Sequence, residues 1–112
     1  MFIGEASNKT GLSIKAIRFY EEKGLIQPPE RIGRYRVYQE ADIELLILIK
    51  EAKALGVTLS QLKGVITYNN GQIDWANVKI FLSEIRKQLI DQINDLKQKI
   101  DSLDQCYEQI NP

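Results

Sequence analysis

Apolar and polar residues along this chain follow periods that change from block to block, and the changes outline its elements. Ile3 and Ala6 lie three apart in a short polar stretch that closes at Gly11, the residue type best suited to the left-handed conformation after a helix. Ser13 then caps a second stretch, in which Ile14, Ile17 and Tyr20 recur at the spacing of a buried stripe; it closes at Gly24, with Lys23 in its last turn. "TGLS" is thus a break between two short helices, a helix-turn-helix whose second helix faces the major groove in DNA-binding proteins. Pro28 and Pro29 cannot continue a helix, Gly33 supplies a turn, and Tyr35 to Tyr38 alternates as a β-favouring run. A small β-wing is predicted, with Arg34, Arg36 and Tyr38 on one face and Tyr35 and Val37 on the other.

"ADIELLILIKEAKALG" predicts a third helix with Ile43, Leu46 and Ile49/Lys50 on the inward spacing and Gly56 as its stop. Leu45 to Ile49 is more apolar than one half-buried face requires, so a second covered face is expected. Thr58 with Gln61 fits a capping box and Val57 with Leu62 a hydrophobic staple; Leu59, Leu62 and Val65/Ile66 carry the stripe of a fourth helix, which "NNG" at 69–71 ends. After Asp74, a candidate N-cap, neither Gly nor Pro occurs before Pro112, which predicts a helix over 75–110 of about 54 Å at 1.5 Å per residue. Leu82, Leu89, Leu96, Leu103 and Ile110 recur every seven residues, and Ile93, Ile100 and Tyr107 fill a second seam, with Ile85 one residue out of phase. A helix folded back on its own subunit would bury only part of that stripe. Pairing of two copies buries all of it, so a homodimer is expected. The expected organisation is a DNA-binding domain over 1–70, a linker over 71–74 and a dimerisation helix over 75–112.

Composition narrows the classes. With 112 residues, 44% of them hydrophobic, the chain suffices for one folded unit. It opens with no basic-then-apolar leader and holds no run near 18 apolar residues, so a cytoplasmic protein without a membrane partner is expected. There is no histidine and one cysteine, Cys106, which excludes an intrachain disulfide, a Cys/His zinc site within one chain and histidine general-base catalysis. No carboxylate pair stands in a loop motif, so neither an enzyme nor a cofactor is expected. Net charge is zero, yet residues 1–38 hold seven basic side chains against four acidic and the remainder eight against eleven. The basic third is the part expected to meet an anion.

If Ile14 and Ile17 face inward, Lys15 and Arg18 fall on the outer side of the second helix. Two readings of Arg18 stand here, contact with DNA or a surface pair with Glu21 or Glu22. Two also stand for the wing, phosphate-holding arginines and tyrosines or a charged edge strand that resists aggregation. The segments "IGEASNKTGLSIKAIRFYEEKGLIQPP", "YRVYQEADI" and "LGVTLSQL", in that order over residues 2 to about 68, resemble the mercury-resistance-regulator (MerR) family of bacterial transcription factors. The resemblance implies a mainly α fold: a winged helix-turn-helix followed by a long dimerisation helix paired as an antiparallel coiled coil, its first part packed on the partner's DNA-binding domain, a contact that Leu45 and Ile47 are expected to serve. It implies that Lys15, Arg18 and Tyr20 lie at the DNA and that Arg31, Tyr35, Arg36 and Tyr38 serve the wing. Arg34 stands where family members commonly have Gly, in a loop one residue shorter, so the resemblance does not specify the wing turn geometry.

The resemblance also implies the mode of action. Such dimers sit on inverted repeats in promoters with an overlong spacer and, when an effector binds, distort that DNA so that RNA polymerase engages. A non-regulatory DNA-bending protein and a coiled-coil adaptor are the alternatives. Metal-sensing relatives carry a cysteine pair after the dimer helix and drug-binding relatives a separate effector domain; residues 1–112 hold neither, and the effector is not specified. Cys106 borders the seam between Leu103 and Tyr107, where a buried structural thiol, a redox sensor and a metal ligand are all open readings. Tyr68 and Trp75 either line a small pocket or pack as a hinge.

Overall fold

In the computed structural model, which describes residues 1–112, the chain forms two compact units, Met1–Asp74 and Trp75–Pro112. The first runs α1 (Ile3–Thr10), α2 (Ile14–Glu22), β1 (Glu30–Ile32), β2 (Tyr35–Val37), α3 (Glu40–Ala54), α4 (Leu59–Val65), β3 (Tyr68–Asn69) and β4 (Gln72–Ile73). The second is the single helix α5 (Trp75–Gln109).

The turn between α1 and α2 is tied from several directions. Gly11 adopts φ +74° and its N–H donates to the Ser7 carbonyl at 2.9 Å. Buried Thr10 donates through its hydroxyl to the Ala6 carbonyl at 2.8 Å and accepts from the Leu12 N–H at 3.1 Å. Lys50 of α3 reaches back to the Thr10 carbonyl at 3.2 Å, a cation placed on the C-terminal end of α1. On the far side of the turn, Ser13 Oγ accepts from the Ala16 N–H at 3.0 Å, the expected N-cap.

The core of this unit gathers Ala6, Ile17, Tyr20, Ile43, Leu46 and Ile49, with α1 packed on both α2 and α3. Leu45 is fully buried in it as well, which corrects the expectation that it would serve a partner subunit; Ile47 is half-buried. α3 carries two inward rows instead of one, and that is why its apolar run is five residues long. Ile14 departs from the expected stripe and is exposed. As the first residue of α2, its side chain leans toward the N-terminus and past the end of the packed surface.

Both capping signals of α4 are realised. The Gln61 N–H donates to Thr58 Oγ1 at 3.1 Å and the Thr58 N–H to Gln61 Oε1 at 2.9 Å, while Val57 and Leu62 are both buried. Asp42 does the same for α3, accepting from the Gln39 N–H at 2.9 Å.

Two hairpins punctuate the unit. In the wing, β1 and β2 pair antiparallel around a Gly33-Arg34 turn, with φ +62° at Gly33 and a negative φ at Arg34. Those signs are those of a type II′ turn, which requires glycine first and tolerates most residues second. Arg34 therefore fits its place, and the shortened wing loop closes without glycine there. The second hairpin, β3 with β4, turns on Asn70 (φ +54°) and Gly71 (φ +78°), the type I′ pattern. Reading "NNG" only as a helix stop missed it, and β4 occupies part of the stretch expected to be a linker. Tyr68 fastens this hairpin by accepting from the Gln27 N–H at 3.3 Å.

α5 is 35 residues long. Leu82, Leu89, Ile93, Leu96, Ile100, Leu103 and Tyr107 are exposed along it, Ile85 is half-buried, and Cys106 is a free, exposed thiol.

The turn yields a test. A Cβ at Gly11 would sit in a left-handed backbone and collide with the Lys50 ammonium. Gly11→Ala is expected to cost about 1–2 kcal/mol, seen as a lower urea midpoint with unchanged slope.

Candidate nucleic-acid interface

The candidate interface is built from α2 and the wing. Ile17 and Tyr20 anchor the inner side of α2, and since side chains four or three apart share a face, Lys15 and Arg18 emerge on the opposite side. Both are exposed. Arg18 makes no ion pair with either of its two candidate surface partners, and Glu21 is committed elsewhere. Phe19 is exposed beside them, with the Lys23 ammonium 5.6 Å from its ring centroid.

Glu21 is committed to the wing. Its Oε2 accepts from Arg36 Nε–H at 2.8 Å, and the two side chains retain 11% and 23% exposure. This is the only ion pair joining α2 to β2, and it spans 15 residues of sequence. Between the helix and the wing lies a cleft of about 460 Å³ lined by Arg18, Glu21, Glu22, Pro28 and Arg36.

Across the wing, Arg31 stands opposite Arg36 and Ile32 opposite Tyr35. Arg31, Arg34 and Tyr35 are exposed; Arg31 donates to the Arg34 carbonyl at 3.5 Å, a bond at the limit of significance. Tyr35 stacks at a tilt on Phe2, centroids 5.9 Å apart. Phe2 reaches that place because the first residue lies along the end of β2: the Met1 ammonium donates to the Tyr38 carbonyl at 2.8 Å and Tyr38 N–H to the Met1 carbonyl at 2.6 Å. Reading the sequence did not single out Phe2, and the apolar opening "MF" was its only signal.

Two of the expected contacts move inward. Tyr20 is 8% exposed and Tyr38 1%, so both rings belong to the core. For Tyr20 the three-residue spacing from Ile17 decides the face. For Tyr38 the alternation fails because β2 ends at Val37, and the chain then turns inward. Burial raises the Tyr38 hydroxyl pKa above the ordinary tyrosine value, with Glu21 adding to the rise and Arg36 and Arg18 opposing it. That hydroxyl has no hydrogen-bond partner. A smaller depression, about 200 Å³, lies beyond the end of α2 among Lys23, Leu25, Leu59, Ser60 and Lys63. Lys63 escaped notice because no local spacing relates it to Lys23.

Comparison with known proteins gives the family and the fold. Residues 1–69 match the family described as MerR HTH family regulatory protein. The HTH-type transcriptional regulator CueR of Yersinia pestis is 39% identical over 100 residues, spanning 88% of this chain and 72% of that protein. Among solved structures, MtaN, the N-terminus of the Bacillus subtilis multidrug transporter activator, superposes with TM-score 0.68 at 22% identity, over 96% of this chain and 97% of that one. HiNmlR, a MerR family regulator lacking the sensor domain and bound to promoter DNA, superposes with TM-score 0.62 at 24% identity, over 90% of this chain and 78% of that one.

The different environments of Arg18 and Tyr38 separate by mutation. Arg18→Ala is expected to weaken binding to a preferred duplex and relax base preference by about 1–3 kcal/mol in fluorescence anisotropy. Tyr38→Phe is expected to leave affinity unchanged and to hold or raise Tm, since the buried hydroxyl it removes bonds nothing; a loss of affinity would return Tyr38 to the interface.

Proposed function

Because the chain belongs to the MerR family of HTH regulatory proteins, and is a DNA-binding transcriptional regulator of that type, we propose that it acts as a homodimer on an inverted-repeat promoter. One observation carries the reading. The unit Met1–Asp74 presents unpaired cations on α2 beside a basic wing, while α5 presents exposed apolar residues at seven-residue intervals.

Each half explains a need of the other. A single helix and wing offer few contacts, and two copies joined by a stiff rod engage two half-sites at high effective concentration. For its part, the stripe from Leu82 to Tyr107 is too apolar to stay in water, and burial at about 25 cal/mol per Å² favours pairing along its length. The partners proposed are therefore promoter DNA, a second copy and, at the promoter, RNA polymerase, all in the bacterial cytoplasm. Lys15 and Arg18 contact the major groove; Arg31, Arg34, Tyr35 and Arg36 hold the backbone; Leu82, Ile85, Leu89, Ile93, Leu96, Ile100, Leu103 and Tyr107 form the antiparallel seam. Bending and untwisting of the spacer is the regulated step, since the energy of deforming DNA depends on its sequence. Support for promoter binding comes from the DNA-bound HiNmlR structure, whose fold this chain shares.

Selection of bound sites from random duplexes is expected to return inverted repeats. Leu89→Asp combined with Leu96→Asp is expected to yield a monomer in sedimentation and to lose the paired site while α2 and the wing remain folded. A wild-type chain that sediments as a monomer at micromolar concentration would overturn the proposal.

A further inference from the structure

The wing carries an electrostatic conflict. Arg31 and Arg36 are directly opposite each other in the β1–β2 ladder, a position that sets Cβ atoms about 5 Å apart and makes like charges unfavourable. Strands of three residues have little packing with which to offset that. One carboxylate neutralises one member of the pair: Glu21, arriving from α2, takes Arg36 by its Nε–H. A guanidinium has five N–H donors, and this bond uses one of them. The Nη groups of Arg36 have no acceptor within the protein, and the side chain borders the open cleft that Arg18 also lines.

We propose that Glu21 is a positioning residue for duplex binding: it grips Arg36 by the Nε edge, locks the wing to α2, and turns the Nη edge toward a backbone phosphate at the cleft. The assignment rests on the reading that Met1–Asp74 binds duplex DNA. Its geometry is that of a strong contact, a charge-assisted bond at 2.8 Å between largely hidden partners, and not of a loose surface pair. It gives one distance constraint between the element that reads bases and the element that holds phosphates, so register on the duplex depends on it. The consequence runs against simple charge counting. Removing an acid from a DNA-facing surface ordinarily tightens phosphate binding; removing Glu21 loosens it.

The test uses the full chain and a duplex selected by the wild type, with anisotropy titrations over a salt series and circular dichroism melts alongside. Glu21→Gln is expected to bind about tenfold more weakly and to flatten the log K against log salt slope by about one, although it removes a negative charge. Glu21→Asp, which keeps the charge on a shorter arm, is expected to fall between. Arg36→Ala is expected to match Glu21→Gln, and the double variant to be no worse than Arg36→Ala, because both changes remove the same contact. Arg36→Lys can still pair with Glu21 and is expected to keep the wild-type melt, yet lacking a second donor edge it binds like Arg36→Ala. Equal or tighter binding by Glu21→Gln, or losses that add in the double variant, overturns the assignment while leaving the DNA-binding reading intact. A wild type that binds no duplex overturns both.

Discussion

A helix of nine residues is not stable alone in water, so everything α2 presents outward depends on what it buries inward. Ile17 and Tyr20 supply that burial, and the cap at Ser13 with the clamped turn at Gly11 sets where the helix starts. Rotation of α2 by one residue would move Ile17 into solvent and bring a charged residue into the core. The orientation of Lys15 and Arg18 is thus the outer face of a hydrophobic constraint, and Lys50, bonded to the Thr10 carbonyl from α3, strengthens it from a third element.

The wing depends on a different physics. It has almost no core of its own: Ile32 and Tyr35 are exposed and its strands are three residues long. A glycine with positive φ closes it, the Met1 backbone pairs at the end of β2, Phe2 stacks on Tyr35, and Glu21 holds Arg36. Each is a small interaction, and together they hold a basic ribbon beside α2 with Arg31 and Arg34 exposed. The arginines are consequently unlike one another. Arg18, Arg31 and Arg34 are exposed, whereas Arg36 is half-buried against Glu21.

In α5 the balance reverses. Its apolar residues are in excess over what one chain can bury, and a free-standing stripe of leucines and isoleucines requires a second surface. In the proposed dimer, the 35-residue length of the helix gives that pairing a long seam.

Local signals were legible where the deciding physics is local. Gly11 after α1, Ser13 before α2, the Thr58 and Gln61 box, the turn at Gly33 and the uninterrupted span of α5 all follow from neighbours within four residues, and each stands where the pattern places it. So do the outward cations Lys15 and Arg18, since helical spacing alone relates them to Ile17. The Asn70-Gly71 hairpin was equally local, and was missed only because a helix stop and a hairpin turn use the same residues. Tertiary structure decided the rest. Tyr38 turns inward where β2 ends, Leu45 finds a second face of α3 already covered, and Glu21 meets Arg36 rather than Arg18. Periodicity says which residues share a face, but burial and ion pairing depend on which other elements arrive there, and that is set by the packing of segments distant in the chain.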